Sequence, residues 1–171
     1  VAAGEGAAPS PASYFAFSYL PAAPMAGSSL RFGQPIHNVG FEWSPPTFKG
    51  FRYHLTVAYS GVGSYSGIRV APLQFGYPTT VHERGELRFE IEPILSILEP
   101  SVYGTTSASL VTMSTGIEAR VNLWYRHLYA GFTPLGFDFR YFGSFGTPAG
   151  SRTVGDGAAD FRLHFLVGYA F

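Results

Sequence analysis

The sequence predicts an all-β chain, an eight-stranded antiparallel up-and-down transmembrane β-barrel, on three observations. Hydrophobicity alternates with a period of two along most of the 171 residues, the period of a strand and not of a helix. Only 13% of the residues are charged while 17% are aromatic, whereas a soluble domain carries about 25% charged residues. Twenty-one glycines and 13 prolines cut the chain into short segments, none holding the ~18 apolar residues of a membrane helix.

Residues 1–12 are small, proline-containing and polar, and read as a flexible tail ahead of a barrel over 13–171. They lack the basic start and apolar core of a signal peptide. The first strand, "FAFSYL" (15–20), sets Phe15, Phe17 and Tyr19 on one side. "NVGFEWS" (38–44) opposes Val39, Phe41 and Trp43 to Asn38, Gly40, Glu42 and Ser44. "FRYHLTVAYS" (51–60) opposes Phe51, Tyr53, Leu55, Val57 and Tyr59 to Arg52, His54, Thr56, Ala58 and Ser60. In 67–77 the apolar set runs through Ile68 and Val70, then changes phase near Pro72 to Leu73, Phe75 and Tyr77, which predicts a bulge. The fifth strand, 86–98, opposes Leu87, Phe89 and Ile91 to Arg88, Glu90 and Glu92. The sixth, 108–125, opposes Ile117, Ala119, Val121 and Leu123 to Glu118, Arg120, Asn122 and Trp124. The seventh, 128–142, opposes Leu135, Phe137, Phe139 and Tyr141 to Gly136, Asp138 and Arg140, with a phase change at Pro134. The eighth, "DFRLHFLVGYAF", alternates Phe161, Leu163, Phe165, Val167, Tyr169 and Phe171 with Asp160, Arg162 and His164.

Connections predicted between these strands alternate in length. Those at 21–37 and 143–159 are long, 45–50 is short, and the turn at Arg126 and His127 is nearly bare. Segments 61–67 and 99–107 complete the set expected at the outer end. Long loops at one end and short turns at the other are the pattern of outer-membrane barrels.

Which face points inward separates two architectures. A soluble ligand-binding barrel puts its apolar face inside, and a membrane barrel puts it toward lipid. Charges here are few, and Tyr19, Trp43, Phe51, Tyr59, Tyr77, Tyr125, Tyr141 and Tyr169 stand on the apolar face near strand ends. Amphipathic rings prefer the headgroup zone, so the membrane barrel is the expectation. The alternation Leu163, Phe165, Val167, Tyr169, Phe171 resembles the C-terminal assembly signal of bacterial outer-membrane proteins. The chain resembles the small eight-stranded class, such as the OmpA membrane domain and OmpX, with OmpW-like barrels as cousins. That resemblance implies a bacterial outer-membrane location. It also implies contact with the lipid bilayer and lipopolysaccharide, and recognition by the outer-membrane assembly machinery.

The polar face holds the candidate site. Arg52, Arg69, Arg88, Glu90, Glu92, Glu118, Arg120, Asp138, Arg140, Asp160 and Arg162 are expected in the lumen. Glu90, Glu92 and Arg120 are expected to share a layer, with Asp138 and Arg140 near Asp160 and Arg162 higher up. An eight-stranded interior is just wide enough to be filled by side chains, and interior charges must be paired, so a structural ion-pair ladder outweighs a solute path. The same pairing argues against acid–base work by Glu90 and Glu92. The five histidines do not cluster as three or four metal ligands would, so no metal or cofactor is expected. Eleven basic against eleven acidic side chains leave no basic face for nucleic acid, and no cysteine is present for thiol chemistry. Some small outer-membrane barrels, the PagL-like deacylases, modify lipid A with Ser, His and an acid. No His and Ser stand two apart on an outward face here. The function expected is therefore a non-enzymatic barrel acting through membrane stabilisation or loop-mediated binding. A narrow conduit for small or apolar solutes is the second reading and a lipid-modifying enzyme the third.

Overall fold

A computed structural model describes residues 13–26, 35–46, 48, 51–63, 65–82, 84–100, 109–147 and 150–171. Eight strands follow in order: β1 (Tyr14–Ala26), β2 (Ile36–Ser44), β3 (Arg52–Val62), β4 (Tyr65–His82), β5 (Gly85–Pro100), β6 (Ser109–Tyr125), β7 (Leu128–Thr147) and β8 (Gly150–Ala170). Each pairs antiparallel with its sequence neighbour, and β1 with β8 closes the barrel. Closure leaves no unpaired edge, which a bilayer requires because it offers no water to open N–H and C=O groups. The end where β1 begins and β8 finishes is called the near end below, and the opposite one the far end. Reciprocal bonds between the backbones of Ser13 and Phe171 complete the near end.

The outer wall is apolar. Tyr59, Tyr77, Phe89, Leu128 and Val167 are each 58–60% exposed, while Glu42, Arg52, Arg88, Arg120, Arg162 and His164 are fully buried. This inverts the polarity of a soluble domain and is the arrangement of a lipid-facing barrel. Register is pinned by the alternation, since a slip of one residue would drive every lumen charge into hydrocarbon.

Both expected phase changes are present. Around Pro72, β4 meets β5 at Val70↔Leu95 and not again until Phe75↔Ile91. Pro72 and Leu73 both face outward while Ala71 and Gln74 face in. Around Pro134, β7 meets β8 at Thr133↔His164 and then at Gly136↔Arg162. Proline lacks the ladder donor, and the extra residue keeps polar side chains inward on both sides of each bulge.

The strands differ from the expectation mainly in length. The connection expected at 143–159 is largely strand, since β7 runs to Thr147 and β8 starts at Gly150. The one expected at 61–67 is mostly strand, since β3 runs to Val62 and β4 starts at Tyr65, with Gly63 at φ 56°. β1 continues to Ala26, past Pro21 and Pro24. Glycine, serine and proline lower strand propensity, but a continuous ladder partner overrides it. Residues 1–12, 27–34 and 101–108, where the tail and parts of two loops were expected, lie outside the described residues.

Candidate functional site: the charged lumen

Alternation along all eight strands brings the lumen together. β5 contributes Glu86, Arg88, Glu90 and Glu92 at successive inward positions, β6 contributes Glu118, Arg120 and Asn122, and β8 contributes Asp160, Arg162 and His164. β2 adds Glu42, and β3 adds Arg52, His54 and Thr56. With Arg69 on β4 and Asp138 and Arg140 on β7, six of the eleven cations and seven of the eleven carboxylates of the chain stand on this inner face. The sparse charge of the sequence is thus concentrated where lipid cannot reach it.

Register alone would set like charges against each other. Arg88 lies opposite Arg120, Glu90 opposite Glu118, and Asp138 opposite Asp160. Directly opposed like charges destabilise a ladder, and the conflict is resolved by reaching diagonally and across the lumen. Arg120 is the hub. Its guanidinium donates to Glu42 Oε1 at 2.5 Å and Oε2 at 3.1 Å, and to Glu118 Oε1 at 2.5 Å. Glu90 Oε2 lies 3.0 Å away. Nearer the near end, Arg88 donates to Glu90 at 3.0 Å and to Glu86. Toward the far end, Arg162 donates to Glu118 at 2.7 Å and to Glu92, and approaches Asp138 at 2.9 Å. Arg69 donates to Asp138 at 2.8 Å and faces Glu92 at 3.4 Å. Glu92 therefore belongs with Arg162 and Arg69, one level beyond the Glu90–Arg120 layer in which the sequence grouped it. Buried pairs of this kind are tolerated only with good geometry and added hydrogen bonds. Thr56 and Tyr14 supply such bonds to Glu42, Thr133 supplies one to Glu118, and Gln74 supplies one to Glu92.

Room for these side chains comes from glycine on the facing strand. A Cβ at Gly116 would stand 2.7 Å from Glu92 and 3.0 Å from Arg162 Nη2, and one at Gly76 would stand 2.7 Å from Arg88 Cδ. Arg52 is fully buried, with its guanidinium 5.9 Å from the Tyr14 ring centre. Arg140 and Asp160 line a cavity of about 40 Å³ with Arg69 and Asp138, beyond the arginine layers. The lumen ends differently on each side. At the near end Tyr14 stacks on Tyr129 with centroids 3.9 Å apart, and Tyr129 donates to Asn122 at 2.6 Å. At the far end Val62, Leu98 and Leu110 form an apolar cluster.

Sequence reasoning missed several members of the network. Glu42 and Glu86 carry the alternation as plainly as Glu90 does, and the signal that could have found them is their place opposite outward aromatics. His54 was seen to face inward, but not its position between Glu42 at 3.2 Å and Glu90 at 2.9 Å. Tyr14 lies one residue before the expected strand start. Ser18 Oγ lies 2.9 Å from His164 Nε2, with Glu118 3.5 Å from the other ring nitrogen. These are the residue types of a nucleophile, its base and an orienting acid. Here Arg120 also occupies the second ring nitrogen at 3.0 Å, and both Ser18 and His164 are fully buried. The trio is enclosed within the ion-pair network, with no exposed face for a substrate.

On the outer wall Leu163 is half-buried and Phe165, Val167, Tyr169 and Phe171 are exposed, forming one outward stripe. His37 and His82 lie in strands and His127 in a turn, all exposed.

A closed eight-stranded antiparallel sheet with a polar interior and an apolar exterior has the fold of the small bacterial outer-membrane β-barrels. The crystal structure of neisserial surface protein A is similar to it, with a TM-score of 0.66 at 10% identity, over 94% of this chain and 97% of that one. The N-terminal β-barrel domain of Pseudomonas aeruginosa OprF is also similar, with a TM-score of 0.59 at 9% identity, over 95% of this chain and all of that one. At such identities the likeness is one of fold. No family model and no curated protein matches the sequence.

Proposed function

We propose that the protein is a non-enzymatic barrel of a Gram-negative outer membrane whose lumen is closed by its own ion pairs. It acts by stabilising the membrane or by presenting its far-end connections to a partner, with the near end toward the periplasm. The observation that supports this reading best is the Arg120 hub, which holds carboxylates from β2, β5 and β6 across the barrel axis. Planar-bilayer recording tests it. The expected result is no steady single-channel current from the wild type, and a steady conductance of hundreds of picosiemens would overturn the reading.

One observation favours a second reading, a narrow conduit for small or apolar solutes. The β4–β5 ladder lapses between Val70↔Leu95 and Phe75↔Ile91, with Pro72 on one strand and Pro93 on the other. A solute path there would show as solute-dependent swelling of proteoliposomes without ionic current.

The outward stripe Leu163, Phe165, Val167, Tyr169 and Phe171 supports recognition by the outer-membrane assembly machinery. Changing Tyr169 and Phe171 to Ser is expected to lower the heat-modifiable folded fraction in cells more than a paired Ser substitution of Val39 and Phe41, which also face outward. Equal folding of the two variants would remove the support.

A further inference from the structure

The near end carries a feature that the lumen does not use. Two turns, β4–β5 and β6–β7, are fastened together there, with Trp124 N–H donating to the Arg84 carbonyl at 3.0 Å. Both turns place an arginine over one ring. The Arg84 guanidinium lies 4.9 Å from the Tyr125 centroid and that of Arg126 lies 5.6 Å from it. Both arginines are exposed, and among the described residues neither is paired with a carboxylate. Arg126 also holds φ 56°, a left-handed conformation costly for a long side chain and easy for glycine. A cation stands where the backbone favours a smaller residue.

Beside this pair runs a groove of about 200 Å³, floored by Leu123, Trp124, Leu128 and Ala130 and rimmed by His82 and Arg84. Leu123 and Leu128 are 55% and 58% exposed on the outer wall, so the groove leads from the guanidinium groups onto the apolar band. Paired cations at the rim match phosphate, which guanidinium binds through planar hydrogen-bond forks. An apolar trough behind them matches hydrocarbon, and a free anion would have no use for it. We propose that this is a binding site for an anionic glycerophospholipid, its phosphate between Arg84 and Arg126 and an acyl chain along Leu123 and Leu128. The proposal rests on the membrane-barrel reading above. It predicts a preference for anionic over zwitterionic lipid of roughly fivefold for each guanidinium held at the surface.

Trp124 lines the groove and so reports on it. In a Trp43→Phe background, Trp124 emission is recorded in vesicles holding a small fraction of brominated phosphatidylglycerol or brominated phosphatidylcholine. The expected result is stronger quenching by the brominated phosphatidylglycerol. R84Q combined with R126Q should abolish the excess, and R84K combined with R126K should retain most of it. Equal quenching by the two lipids, or an excess that survives the double Gln change, overturns the site. Loss of the excess on adding inorganic phosphate at constant ionic strength would assign the rim to a free anion and overturn the lipid. The companion Trp124→Phe variant keeps Trp43, which is 46% exposed on the outer wall. Failure of any brominated lipid to quench Trp43 would instead overturn the membrane reading itself.

Discussion

The two storeys of the lumen are packed to different degrees. The central one, around Arg88, Arg120 and Arg162, is filled by long charged side chains whose oxygens and nitrogens lie mostly 2.5–3.5 Å apart. The far one, toward Val62, Leu98 and Leu110, surrounds a cavity of about 40 Å³ where Asn38, Ser60, Ser96, Thr112 and Ser114 stand among Arg69, Asp138, Arg140 and Asp160. Charges taken from water cost several kcal/mol each and are restored only by correct partners, so the central storey tolerates one arrangement. Small hydroxyl groups beside space for a water accept many. In a barrel this narrow, register is therefore enforced where charges interlock and is merely accommodated elsewhere.

Breaking the hub has the largest expected effect. Arg120→Ala leaves Glu42, Glu90 and Glu118 without their shared cation, and an uncompensated buried charge costs ~3–5 kcal/mol. The urea midpoint of the folded barrel in lipid vesicles should fall accordingly. Adding Glu42→Gln or Glu90→Gln should recover part of the loss, because the stranded charge is removed with its partner. A neutral Arg120→Ala would show that water, and not ion pairing, fills the centre.

Volume is the next test of the contrast. At Gly116 an added methyl would enter the space of Glu92 and Arg162, whereas at Gly61, on the outward face of β3, nothing lies within 4 Å of the same methyl. Overpacking a tight interior costs ~1–3 kcal/mol. Gly116→Ala should therefore lower the midpoint while Gly61→Ala leaves it unchanged or slightly raised, since alanine loses less chain entropy on folding. Equal effects would mean that the central storey accepts added volume as easily as the outer wall.

How much of this was legible follows from what alternation encodes. A period of two reports which face a residue is on, so the inward placement of Arg69, Arg88, Arg120 and Arg162 could be read directly, as could the phase changes at Pro72 and Pro134. Height along the barrel is not encoded in that period. It depends on strand tilt and on where each ladder starts, which is why Glu92 was grouped with Arg120 although it faces Arg162 and Arg69. Nor does alternation mark where a strand ends. Residues 143–147 and 150–159 have the glycine and serine content of a loop, yet they pair as Gly143↔Val154, Ser144↔Thr153 and Gly146↔Ser151. Composition reports the intrinsic preference of each segment, and the ladder between two such segments overrides it.

The finest test sets one hydroxyl in each storey against the other. Ser18 Oγ pairs with His164 Nε2 at 2.9 Å in the enclosed centre, and Ser60 Oγ donates to Asn38 Oδ1 at 2.5 Å at the edge of the cavity. Removing a hydroxyl costs more when the group it leaves is buried with no replacement partner, ~1–3 kcal/mol against ~1 kcal/mol for an ordinary bond. Ser18→Ala strands a ring nitrogen beside Glu42, which is 3.8 Å away, and Arg120 is already committed to carboxylates. Ser60→Ala strands an amide oxygen next to space that a water can enter. Ser18→Ala should therefore lower the urea midpoint measurably more than Ser60→Ala, although the two changes delete the same atom. The reverse order would place mobile water in the centre and fixed geometry at the far end, which is the opposite of the contrast drawn from the side-chain packing.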